Sequence, residues 1–145
     1  MSQYTTKKLS MVDYTDEVHA FLIKGTLKLS ELLEFPGVNR ISFLNIIVNE
    51  HLFMCFKGEE PVGFLYATSR SSIFTNDVKV LTQHALYAKA GTKAAYLLLK
   101  HFLDFGKSNA DHVITMINPH TNIKPSSLEK MGFKELETLY RWKNG

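Results

Sequence analysis

The segment Val78–Phe105, VKVLTQHALYAKAGTKAAYLLLKHFLDF, constrains the fold more than any other stretch of the chain. Its first part alternates. Val78, Val80, Thr82, His84 and Leu86 fall on one face at period two, which predicts a strand over Val78–Tyr87. Ala88–Lys93 is a turn of small and cationic residues around Gly91. Ala95, Leu98, Leu99 and Phe102 then recur at helical spacing, predicting a helix from Ala94 to Phe105 that Gly106 is placed to end. A strand that runs through a small-residue loop into a helix gathers backbone N–H groups and the positive end of a helix dipole at one spot. Lys89–Ala94 is therefore the expected seat of a phosphate-bearing group. The plain alternative is an ordinary strand-to-helix turn, with Lys89 and Lys93 as solvated surface.

The 145 residues suffice for one domain, 1–145, with a real core. Hydrophobic residues make up 45% and charged residues 21%, values of a globular protein with a polar surface. A net charge of +3 suits an acidic small ligand and falls short of a dedicated nucleic-acid binder. One cysteine, Cys55, cannot form an internal disulfide, which points to a reducing compartment. Its apolar strand setting makes it a core residue rather than a nucleophile. The apolar runs are too short to span a bilayer, and MSQYTTKKLS lacks the apolar core of a secretion signal. A cytoplasmic protein, or one delivered by other means, without membrane contact is expected. The six histidines show no metal-ligand spacing, so no metal is expected.

Around the central segment, Lys8–Tyr14 reads as a short first strand. Thr15 reads as an N-cap with Asp16 and Glu17 in the first helical turn. Val18, Phe21 and Leu22 form that helix's buried face; Gly25 interrupts it before Leu27–Leu33. Val38–Glu50 is a second helix, with Ile41, Leu44, Ile47 and Val48 sharing a face. His51–Lys57 and Val62–Ser69, joined at Gly58–Pro61, predict an antiparallel hairpin, and Ser71–Asp77 a polar connection. His112–Asn118 is a near-continuous apolar strand, of the kind covered on both faces. The helix before it makes a right-handed parallel crossover the default. Pro125–Met131 is a short helix stopped by Gly132, and Phe133–Lys143 a last strand. The order gives an α/β or α+β domain around one mixed sheet.

This order, together with two segments, resembles the GNAT family of N-acetyltransferases, in a small and phage-encoded type. The family's acyl-CoA loop reads Gln or Arg, any two, Gly, any one, Gly or Ala, and soon a Leu pair. Counted back from Leu97-Leu98, the chain offers Lys89-Ala90-Gly91-Thr92-Lys93-Ala94. Ala94 meets the last position and Lys89 stands for the first, while Thr92 replaces the middle Gly and Gly91 lies one step early. The second segment, Ser127-Leu128-Glu129-Lys130-Met131-Gly132-Phe133, is similar to the family's Tyr-Glu-Lys-x-Gly-Phe run before its final strand.

The resemblance implies a three-layer domain with a mixed, mostly antiparallel sheet, helices on both faces and a splayed parallel strand pair. It implies acetyl-CoA as co-substrate, its arm lying along His84, Leu86 and Tyr87 and its diphosphate on the amides of Lys89, Ala90, Gly91, Thr92, Lys93 and Ala94. Asn118 and Ser127, with Ser126, would face the cofactor. The plain readings beside these are a loop start at Asn118 and helix-start serines. Amine acetylation needs a base, and His84 is the candidate by its pKa class, set against a histidine packed on a sheet face. His112 and His120 are further options. The family's usual Tyr acid is replaced by Leu128, which donates no proton; Tyr87 or a water would have to substitute. A thiolate whose thiol has a pKa of roughly 8.5 leaves without much help.

The reading reached is an N-acetyltransferase acting on an unidentified amine, either a small amine or a protein. The alternative is a catalytically degenerate member of the same fold, acting as a binding or structural protein. A nucleic-acid-associated protein is a weaker third, since Tyr66, Tyr87, Tyr140 and Trp142 are more simply core and strand residues. Oligomeric state stays open, a homodimer among the options.

Overall fold

The computed structural model describes residues 3–33, 40–72, 77–117, 123–136 and 142. Among the described residues, five strands form one sheet in chain order: β1 (Tyr4–Lys8), β2 (His51–Lys57), β3 (Glu60–Ser71), β4 (Lys79–Ala88) and β5 (His112–Ile114). Every neighbouring pair is antiparallel except β4–β5, which is parallel. The helices are α1 (Asp16–Leu33), α2 (Arg40–Asn49), α3 (Ala94–Asn109) and α4 (Pro125–Lys130).

Two apolar layers explain the arrangement. On one face α3 sends Ala94, Ala95, Leu98, Leu99 and Phe102 against Phe53, Cys55, Leu65, Leu81 and Leu86. On the other, Val18 and Leu22 of α1 and Phe43 and Ile47 of α2 meet Leu52, Met54 and Phe64. The run LFMC in β2 is buried on both faces, which is why it does not alternate. The expected layout of helices on both faces of a mixed, mostly antiparallel sheet is the one found.

Thr15 starts α1 as expected: the Val18 amide donates to its Oγ1 at 3.2 Å. Other expectations shift. The first strand is Tyr4–Lys8 rather than Lys8–Tyr14, because Ser10 donates to the Asp13 carboxylate through its amide and hydroxyl and curls Met11–Asp13 into a 3-10 turn. Gly25 does not interrupt α1, and Gly106 does not end α3. Each is a point of close approach, where a Cβ would lie 2.5 Å from the Phe64 ring and 2.2 Å from Val113 Cγ2 respectively. In α2 the inward residues are Phe43 and Ile47, while Val48 is exposed; a helix apolar nearly all round hides its buried face from periodicity. Of the expected last strand, residues 133–136 and 142 are described and none is in a strand; the rest lies outside the described residues.

Candidate functional site

The candidate site is organised by the way β4 leaves its neighbours. Against β3 the register slips between Tyr66 and Ala67: Tyr66 faces Ala85 and Ala67 faces Gln83, so His84 is an extra residue on β4. The bulge reverses the alternation. Leu81 and Leu86 both pack under α3, while Ala85 and Tyr87 turn toward α1. The expected single face from Val78 to Leu86 is thus broken at His84. Leu86 is a core residue on the side opposite to it.

Among the described residues, the pairing against β5 runs only from Val80–His112 to Thr82–Ile114. The apolar run expected to continue as strand to Asn118 leaves the ladder at Thr115. Where the strands part, the Gln83 side chain takes over: its Oε1 accepts from the Thr115 hydroxyl at 2.8 Å and from the Met116 amide at 2.9 Å. Gln83 is 3% exposed. It was not singled out from the sequence, although a polar residue two positions from buried Leu81 is the kind of signal that marks a special position.

Beyond β4, the loop turns through Gly91 at φ 77°, a left-handed conformation that favours glycine. The Lys89 amide is not free for an anion, since it donates to Val62 O at 2.8 Å. The Thr92 hydroxyl donates to Lys89 O at 2.6 Å and ties the turn. The amides of Lys93 and Ala94 have only long contacts of 3.4 Å, to the Tyr4 hydroxyl and to Thr92 Oγ1. Among the described residues those of Ala90 and Gly91 have no hydrogen-bond partner. The N-cap residue of α3, Lys93, makes no side-chain cap hydrogen bond, and the long contact from Thr92 is the first turn's one side-chain partner among the described residues. The loop therefore offers main-chain donors beside a helix N-terminus. Lys93 is exposed; the Lys89 ammonium is held at 2.7 Å by Glu60, both side chains being about half exposed.

His84 Nε2 lies 2.7 Å from Thr68 Oγ1, and its ring tilts against Tyr66 at 5.4 Å between centroids. Its outer edge is open to solvent. Desolvation of the inner edge, then the charge of Arg70, push its pKa below the usual value; Glu50 opposes them. Glu50 and Arg70 form a two-pronged ion pair beside it, at 2.6 and 3.0 Å. Tyr87 makes tilted ring contacts with Phe21 and Phe64 and lines an open cleft of about 180 Å³ with Glu17, Phe21, Lys24, Glu60, Pro61 and Lys89.

The remaining candidates are placed as follows. Ser127 and exposed Ser126 lie in α4, Ser127 half-buried; Leu128 packs against the α3-side core. His112 sits at the paired end of β5, away from the parting strands. Asn118 and His120 lie outside the described residues. Cys55 is fully buried, and burial pushes its thiol up to about 11, which fits a core residue. No helix among the described residues is long and apolar enough to cross a membrane.

No protein-family model matches the chain, and no curated protein matches it in sequence. Solved structures do match in shape. The fold is the GNAT acetyltransferase fold. A probable acetyltransferase superposes with TM-score 0.70 at 13% identity, over 97% of each chain. The aminoglycoside acetyltransferase meta-AAC0020, from an uncultured soil metagenomic sample and solved with trehalose, gives 0.66 at 10%, over 98% of this chain and 97% of that one. Aminoglycoside N-acetyltransferase AAC(6')-Iy, solved in complex with CoA, gives 0.66 at 15%, over 99% and 96%.

Proposed function

We propose that residues 1–145 form an acyltransferase domain that moves an acetyl group from acetyl-CoA to an amine. The observation that carries this reading is the early parting of β4 and β5, which lies on the strand leading to the donor-rich loop of α3. A thioester arm would lie along the second half of β4, and its charged end would meet the amides of Ala90, Gly91, Lys93 and Ala94. Acetyl-CoA supplies the activated acyl group. The chain supplies main-chain donors and, at the bulge, a histidine whose neutral form is favoured. That CoA occupies a structure of the same fold supports the reading.

The second reading, a binding protein of this fold without turnover, is favoured by Leu128, which packs into the core where the resemblance expects a Tyr. Two measurements test them, and the second separates them. Acetyl-CoA raises the melting temperature under both, because a ligand of the folded state stabilises it. Thiol release with a panel of small amines, aminoglycosides and peptide N-termini occurs only under the first. An unchanged melting temperature at millimolar acetyl-CoA would rule out the first reading, and with it an acetyl-CoA-binding form of the second.

A further inference from the structure

The Gln83 carboxamide bridges β4 and β5 at the point where their ladder stops. The orientation of that carboxamide is fixed by chemistry: the Met116 amide can only donate, so the atom facing it is the oxygen and the NH2 is the other end. Among the described residues, nothing accepts a hydrogen bond from Gln83 Nε2; the residue is only 3% exposed, but this nitrogen keeps an opening to solvent, since the described residues hold one fully enclosed side-chain atom without a partner, and that is His51 Nδ1. The carboxamide thus has its oxygen anchored in the protein and its NH2 left open to an acceptor from outside.

We propose that Gln83 Nε2 donates to a carbonyl oxygen of the ligand arm, amide or thioester, that lies between β4 and β5. The inference rests on the acyl-CoA reading above. It makes Gln83 a ligand-binding residue that grips the uncharged arm, separate from the loop that grips the phosphates. The side chain is pre-set for this task, because its oxygen is already anchored on Thr115 and Met116.

Calorimetric titration at pH 8 of the wild type and Gln83→Glu with acetyl-CoA and with adenosine 3′,5′-bisphosphate tests it. The ionised Glu keeps oxygens for Thr115 and Met116 but has no donor. Acetyl-CoA affinity is expected to fall at least tenfold while the bisphosphate, which lacks the arm, binds within twofold of wild type. Gln83→Met, uncharged and similar in volume, removes acceptor and donor together and is titrated with the same two probes if the buried carboxylate prevents folding, the bisphosphate reporting whether loss of the brace alone disturbs the site. Equal acetyl-CoA affinity in variant and wild type would overturn the assignment and leave the acyl-CoA reading standing. So would an equal loss for both probes, which would make Gln83 a brace alone. A wild type that binds neither probe would end both.

Discussion

Thr68 Oγ1 and His84 Nε2 meet at 2.7 Å across β3 and β4, at the one place where β4 carries an extra residue. If the ring nitrogen donates to Thr68, its Nδ1 keeps a lone pair and the imidazole is a base with a fixed orientation; the other tautomer leaves Nδ1 a donor. The first arrangement fits amine deprotonation. His84→Ala is then expected to lower kcat for acetyl transfer by about 10²-fold or more, with little change in melting temperature. The pH profile of kcat/KM should rise on its acid side with an apparent pKa below the ordinary 6.5, because burial and Arg70 hold the ring neutral. Full activity in His84→Ala would leave His84 as a packed sheet residue.

Binding of the charged end should depend on backbone at Gly91 more than on charge at Lys89. Gly91 is exposed, with open space around a Cβ, so its side-chain cost is only that of a left-handed φ, about 1 kcal/mol. Gly91→Glu places a carboxylate beside the loop amides and is expected to weaken acetyl-CoA at least tenfold. Lys89 already spends its charge on Glu60, so Lys89→Ala is expected to weaken it less than threefold. The two affinities, measured by the shift of melting temperature with ligand concentration, check the order. A larger effect at Lys89 would place the anion on side chains instead.

Stability should fall as pH drops below about 6.5. His51 carries a buried Nδ1 without a partner among the described residues, and burial, then Lys8, lower its pKa from 6.5 against the pull of Glu50. His101, bonded to Thr6, is lowered by burial against Asp104. His84 is lowered as well. Each folded pKa lies below its unfolded value of 6.5, so between the two the unfolded chain binds more protons. The stabilisation is complete above that value and is lost as pH falls toward the folded pKa. Asp13 is held down to about 2 by Lys7 and Ser10, so it does not titrate in this window. Urea midpoints at pH 7.5 and 5.5 should differ, and His51→Phe should narrow the difference; equal midpoints would contradict the burial of these rings.

Legibility in the sequence follows the range of the forces involved. The β4–loop–α3 unit was readable because its signals are local: alternation, small residues, then helical spacing with Leu98, Leu99 and Phe102 truly buried. What escaped was set by distant partners. The bulge at His84 depends on the register of β3, and nothing within VLTQHALY marks it. Gln83 owes its role to Thr115 and Met116, more than thirty residues away. Glycines were misread for the same reason: a helix-stop signal and a contact point with another element are the same letter until the neighbour is known. Lys89 was a free cation in the sequence and is an ion pair with Glu60 in the fold.

Gly106 gives a direct check on how closely α3 lies over the parallel pair. A Cβ there would stand 2.2 Å from Val113 Cγ2 and 3.3 Å from Leu81 Cδ2, so α3 approaches β4 and β5 at their paired end. Gly106→Ala gains roughly 1 kcal/mol of helix propensity and loses about 1–3 kcal/mol to overpacking. A net loss of about 1 kcal/mol is expected in urea unfolding. Val113→Ala alone removes core contacts and is destabilising too, since Val113 packs against the α3-side cluster. Combined, the new methyl occupies space the valine vacates, and the pair should be more stable than the sum of singles predicts by at least about 0.5 kcal/mol. Strict additivity would mean that helix and strand do not touch at this point, and the crossing of α3 over β5 would have to be redrawn.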